Sequence, residues 1–101
     1  HASVAASKGA LEGLGKSLAA ELAPNTRVNV IAPSITNTPL ADRFLNNETK
    51  MEKSAQRHPL KRVGKAEDVA SMTRFLLSDE SSWMTGQIIG LDGGMSSLNT
   101  H

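Results

Sequence analysis

Apolar residues recur at helical spacing along the first quarter of the chain. Leu11, Leu14, Leu18 and Leu22 stand three or four positions apart, the stripe of an amphipathic helix. Ser3 suits the N-cap and Pro24 cannot continue a helix, so the pattern predicts a helix over about 4–23. Gly9, Ala10, Gly13 and Ala20 make parts of it thin, which lets a sheet or a second helix approach closely at a propensity cost of about 1 kcal/mol per glycine. The period then changes. Val28–Ala32 is short and rich in β-branched residues, as a buried parallel strand requires, and Pro33 ends it.

Ser34 to Asn37 reads as a loop, and Thr38-Pro39 as a helix cap followed by proline at the first helical position. A short helix through Leu40, Phe44 and Leu45 should follow, then a polar helix around Glu48–Arg57 stopped by Pro59. Ala66–Leu77 has the pattern of a second clear helix, with Val69, Met72, Phe75 and Leu76 as its buried face. Glu67 and Asp68 lie near its positive end. Gln87–Leu91 reads as the last strand and Asp92-Gly93-Gly94 as a turn. A strand, helix and strand in this order imply a right-handed parallel crossover, hence an α/β fold. The polar excursion over about 34–64 sits between the halves of that crossover and reads as a lid. There is no internal repeat, low-complexity stretch or domain linker.

Composition narrows the function classes. The chain has 101 residues, 39% of them hydrophobic, which suits one small globular domain. A net charge of +1 argues against nucleic acid or an acidic membrane surface as the main partner. With no cysteine there is neither a disulfide framework nor a thiolate metal site. No apolar run approaches the roughly 18–20 residues of a membrane span. These features give a cytoplasmic reading. The chain opens at His1 without a signal-peptide pattern, and is expected to be a piece of a longer protein.

Three local patterns have plain structural readings. Gly15-Lys16-Ser17 matches the tail of a phosphate-binding loop, but the first glycine of that motif is replaced by Ala10, and the tripeptide lies within the predicted helix. His1, His58 and His101 are too scattered for a metal site and read as surface histidines. Lys50, Lys53, Arg57, Lys61, Arg62 and Lys65 make the excursion mildly basic, but Glu48 and Glu52 interrupt them, so a solvated face is the expectation.

Two segments carry a family resemblance. Val4-Ala-Ala-Ser-Lys8-Gly-Ala-Leu11, followed by Arg27-Val-Asn-Val-Ile-Ala-Pro33-Ser-Ile-Thr-Asn-Thr38-Pro39, resembles the second half of a short-chain dehydrogenase/reductase. The resemblance implies the C-terminal part of a doubly wound Rossmann-type parallel sheet, ordered helix, strand, lid, helix, strand. The N-terminal half, with the Gly-rich phosphate turn and the residue choosing NAD or NADP, would be absent from the chain. It implies an NAD(P)-dependent oxidoreductase acting on a small carbonyl or alcohol, as a homo-oligomer. Lys8 would be the catalytic lysine that also holds the nicotinamide ribose. Pro33, Thr36 and Thr38 would line the cofactor, with the Thr36 backbone at the carboxamide and the Thr38 hydroxyl at carboxamide or phosphate. Thr38 has a structural role open to it as well, as a helix N-cap. The segments Trp83–Gly86 and Asp92–Gly94 resemble the family's turns before and after the last strand.

One departure bears on mechanism. The family has Tyr four residues before the lysine, one helical turn away on the same face. Its phenol, with its pKa lowered by the lysine, passes a proton to or from the carbonyl oxygen as hydride moves. Here that position is Val4, and the chain contains no Tyr. Valine has no proton to give. An oxidoreductase would need its acid from elsewhere, such as the absent half, ordered water or His1, three residues before Val4. The alternatives are a catalytically inactive dinucleotide-binding or scaffold member of the family, and an interaction module using its two long helices. A second departure puts Ser34 where the family has Gly, which matters only if that backbone needs positive φ.

Overall fold

The computed structural model describes residues 2–34, 36–37 and 47–98. Its elements are α1 (Ala2–Leu22), β1 (Val30–Pro33), β2 (Thr36–Asn37), α2 (Glu48–Arg57), β3 (Gly64–Lys65), α3 (Ala66–Leu77), a 3-10 turn at Asp79–Ser81 and β4 (Ile88–Leu91). β1 pairs with β4, and β2 with β3. The chain divides into two compact units, His1–Val30 with Phe75–Ile89, and Ile31–Arg74 with Gly90–His101.

In the first unit, α1 starts earlier than its capping signal suggests. Ser3 lies inside the helix rather than at its N-cap, because helical pairing extends back to Ala2. Pro24 closes the far end as expected: the Ala23 N–H still bonds the Ala19 carbonyl at 3.1 Å, and beyond the proline the Asn25 and Thr26 N–H groups both turn back to the Leu22 carbonyl, at 3.0 and 2.9 Å. The small residues are used differently from the expectation. A Cβ at Gly9 or Gly13 would meet open space, whereas one at Gly15 would collide with the Val30 side chain. Gly15 is thus the point of close approach in α1. Ala19 is buried, and a Cβ on Gly86 (φ 73°) would lie in ordinary contact with the Ala19 Cβ, 3.6 Å away.

The start of β1 is joined to the chain before β4 by two main-chain bonds, Gly86 N–H to the Val28 carbonyl (2.7 Å) and Val30 N–H to the Gln87 carbonyl (2.9 Å). Asn29 reinforces them by donating to the Met84 carbonyl (3.2 Å) and accepting from the Gln87 N–H (3.1 Å). The greatest concentration of bonds belongs to Arg27. Its guanidinium donates to the carbonyls of Leu76, Ser78, Ser81 and Met84, and to the Ser81 hydroxyl, at 2.9–3.3 Å. A planar fork with five N–H groups matches such a fan, which an ammonium could not fill.

In the second unit, Ser34 N–H donates to the Leu91 carbonyl at 3.3 Å. Thr36 and Asn37, expected in a loop, form β2 and pair in parallel with Gly64 and Lys65. Main-chain N–H and C=O groups need partners wherever water is scarce, and a two-residue strand supplies them without any periodic signature in the side chains. α2 has the expected boundaries. Asn47 caps it, its side chain accepting from the Lys50 N–H at 2.8 Å, and the end at His58 follows from Pro59, which disfavours helical backbone at the residue before it. The short helix expected through Leu40, Phe44 and Leu45 lies outside the described residues.

α3 also has the expected boundaries, but its expected buried face is not buried. Val69, Met72 and Leu76 are half-buried and Phe75 is exposed. A stripe at helical period establishes which side of a helix is apolar, not what lies against it. The start of α3 is organised by Asp68, whose carboxylate accepts the Lys65 N–H at 2.8 Å, one arm of a capping box. After β4, Gly93 and Gly94 turn the chain at φ 62° and 89°, and Asp92 accepts the Gly94 N–H at 2.9 Å. Among the described residues only Ala19 and Val63 are buried hydrophobics.

Candidate functional site

Lys8 sits within α1, exposed to solvent, and among the described residues no hydrogen bond or ion pair engages its ammonium. Val4 is one turn earlier in the same helix. Pro33 is the last residue of β1 and exposed, and Thr36 begins β2. Thr38 and His1 lie outside the described residues. Lys8 belongs to the first compact unit, and Pro33 and Thr36 to the second. The tripeptide Gly15-Lys16-Ser17 lies in mid-helix, not at the strand-to-helix junction a phosphate loop needs. Ser34 does not have positive φ, so replacing glycine there imposes no backbone strain.

Ser34 instead has a specific partner, and here a sequence expectation is corrected. His58, read as a surface histidine, is 2% exposed. Its Nδ1 lies 2.7 Å from the Ser54 carbonyl, and its Nε2 2.9 Å from Ser34 Oγ. A carbonyl only accepts, so Nδ1 carries a proton. With the ring in its neutral form, Nε2 is an acceptor and the Ser34 hydroxyl donates to it. The ring is enclosed on another side by the closing turn: a Cβ on Gly93 would lie 3.5 Å from His58 Cβ and 3.6 Å from its Cδ2. The sequence does not show this burial because only one of the ring's two partners is local: the Ser54 carbonyl is four residues earlier, whereas Ser34 is 24 positions away. The adjacent signal, His before Pro59 at the end of a predicted helix, locates a helix end and nothing more.

A pocket of about 110 Å³ opens beside this pair, lined by Ser34, His58, Leu60, Leu91 and Gly93 among others, with Arg62 and Asp68 also on its wall. Arg62 donates to both Asp68 carboxylate oxygens, at 2.8 and 3.2 Å. This bond, followed by the one from the Lys65 N–H, lowers the Asp68 carboxyl from its ordinary 3.8 to about 2. The aspartate is ionised at neutral pH and already satisfied, so it is no proton donor. Arg62 is committed to the same pair, so its charge is already matched by a carboxylate.

Residues 1–96 match the family described as enoyl-(acyl carrier protein) reductase. The chain is 48% identical over 92 residues to the 3-oxoacyl-(acyl-carrier-protein) reductase FabG of Thermotoga maritima, covering 90% of this chain and 37% of that protein. A short-chain dehydrogenase/reductase of the glucose/ribitol dehydrogenase type from Brucella melitensis superposes with a TM-score of 0.81 at 41% identity, over 89% of this chain and 36% of the other. A 4-hydroxyisoleucine dehydrogenase complexed with NADH superposes at 0.85 with 34% identity, over 93% and 39%. The chain belongs to the short-chain dehydrogenase/reductase family, and its fold is a partial α/β fold of the Rossmann type. It spans little more than a third of the length of these relatives. Among the described residues, no helix is long and apolar enough to cross a membrane.

Proposed function

We propose that this chain is the C-terminal portion of an NAD(P)-dependent short-chain oxidoreductase that moves hydride between a nicotinamide and a small carbonyl or alcohol. The observation that supports this best is the family match across residues 1–96, which takes in both segments of the resemblance. In this reading Lys8 holds the ribose, Pro33 lines the cofactor, the Thr36 backbone meets the carboxamide, and the Thr38 hydroxyl completes the contact at carboxamide or phosphate. The donors suit the group: an exposed ammonium with no partner among the described residues can bond ribose hydroxyls, and NADH is bound by a similar dehydrogenase. The excursion about 34–64 acts as a lid over the substrate. The protein works in the cytoplasm as a homo-oligomer. The apolar side chains exposed in the first unit, Leu11, Leu14 and Trp83 at 63%, 55% and 99%, are consistent with further association.

Val4 at the tyrosine position favours a second reading, a dinucleotide-binding member of the family without catalysis. One experiment separates the two. The full-length protein is titrated with NADH and with NADPH, and then assayed for reduction of a panel of ketones. Binding with turnover supports the oxidoreductase, and binding without turnover supports the inactive member. An absence of binding to either nucleotide rejects both.

A further inference from the structure

The second unit contains a buried polar chain that the reading above leaves unused. It runs from the Ser34 hydroxyl through the His58 ring to the Ser54 carbonyl at 2.9 and 2.7 Å, with His58 2% exposed. Every bond in it is directional. The Ser54 carbonyl fixes the proton on Nδ1, which in the neutral ring leaves Nε2 to accept from the Ser34 hydroxyl, and the Met95 sulfur lies within donor reach of the same hydroxyl at 3.8 Å.

The histidine itself is held from both sides along the chain. Its N–H donates to the Ala55 carbonyl at 3.1 Å, closing α2, and its carbonyl accepts the Lys61 N–H at 2.8 Å, with Lys61 in the left-handed region at φ 60°. The Leu60 N–H reaches the Gly93 carbonyl at 3.1 Å. His58 thus joins three separate stretches: the end of α2, the closing turn and the residue after Pro33. A glycine at position 34 would lack the hydroxyl that makes the third connection.

We infer that His58 is a positioning residue for cofactor binding, acting through Ser34 to hold Pro33 and Thr36 where the Thr36 backbone meets the nicotinamide carboxamide. This rests on the reading proposed above. A loop fixed before the ligand arrives loses less conformational freedom on binding, so its brace is felt in affinity. The brace is one neutral hydrogen bond, and its loss should weaken nucleotide binding about three- to tenfold.

The test uses Ser34→Ala, His58→Ala, His58→Gln and the two double variants that combine Ser34→Ala with each His58 change, in the full-length protein, with Kd for NADH and NADPH measured where unfolding curves show each variant folded. Glutamine can bring an amide to the position of Nε2, whereas His58→Ala cannot. Expected are a three- to tenfold rise in Kd for Ser34→Ala and for His58→Ala, little change for His58→Gln, and no rescue by glutamine once Ser34 is alanine. Ser34→Ala removes one oxygen and keeps the test decisive should His58→Ala not fold. Unchanged Kd in folded Ser34→Ala, with only a lower unfolding midpoint, makes the pair purely structural and overturns the inference. Independent, additive losses from the two positions overturn it as well. If the unmodified protein binds neither nucleotide, the proposed function fails and this inference with it, whereas tight parental binding with unaffected variants defeats the inference alone.

Discussion

The two compact units expose their candidate chemistry in opposite ways. In the first, Lys8 is a solvated side chain on a regular helix, and the unit is held elsewhere by Gly15 packed on Val30 and by the Arg27 fan. In the second, Pro33 and Thr36 lie on short strand ends, and what holds their neighbourhood is the buried His58 between Ser34 and Ser54. Neither unit buries much apolar surface among its described residues, so directional polar bonds carry a large part of the specification in both. The first unit uses a charged fork against carbonyls, and the second a neutral ring with a defined tautomer. A helix can present a functional side chain without help, whereas an irregular segment needs a brace.

The largest effect expected from testing this contrast concerns the chemistry on α1. A positioned acid contributes about 10²–10⁴-fold to a proton-coupled step. Val4→Tyr should therefore raise ketone reduction by an amount within that range in full-length protein that binds cofactor, measured as kcat at saturating nucleotide. Ordinary family-like turnover in the unmodified protein, with no gain from tyrosine, would mean that another group supplies the proton.

Next comes the structural anchor of the first unit. Arg27→Ala leaves several carbonyls without donors and should destabilise the protein by about 3 kcal/mol, read from denaturant unfolding. Arg27→Lys should recover only a minor part, because an ammonium cannot span the fan. Full recovery by lysine would show that charge, not geometry, is what matters there.

Lys8 should behave in the opposite manner. Lys8→Ala should leave the unfolding midpoint nearly unchanged, since the side chain is exposed, while weakening nucleotide binding about tenfold or more, as a lost charge-assisted hydrogen bond does. Identical titration curves for variant and parent would remove Lys8 from the site.

The smallest effect is electrostatic. Asp68 titrates lower in the folded chain than in the unfolded one, chiefly through its bond from Arg62. Its contribution to stability is therefore complete above about pH 4 and is lost as pH falls toward 2. The unfolding midpoints of the parent and Asp68→Asn should differ at pH 5 and converge by about pH 2. A difference that persists unchanged at pH 2 would assign the effect to something other than ionisation. The pair is solvent-exposed and screened, so the difference should be small.

The sequence by itself determined the regular elements and the family. Proline at 24 and 59, the leucine stripe and the β-branched run at 28–32 are local signals, read within a few residues, and they place α1, α2, α3, β1 and β4 to within about two residues. The motifs around Lys8 and Pro33 carried the resemblance because each is a contiguous string. Tertiary structure decided the rest. Which glycine is a contact, that Arg27 binds four carbonyls from residues 76–84, that Thr36 pairs with Gly64, and that His58 is buried on Ser34 all depend on partners 15–57 positions away. The physical reason is that a hydrogen bond or a close packing contact is a property of two positions. A polar or small residue carries no mark of which distant atom will meet it, whereas periodicity and chain-breaking are properties of one segment alone.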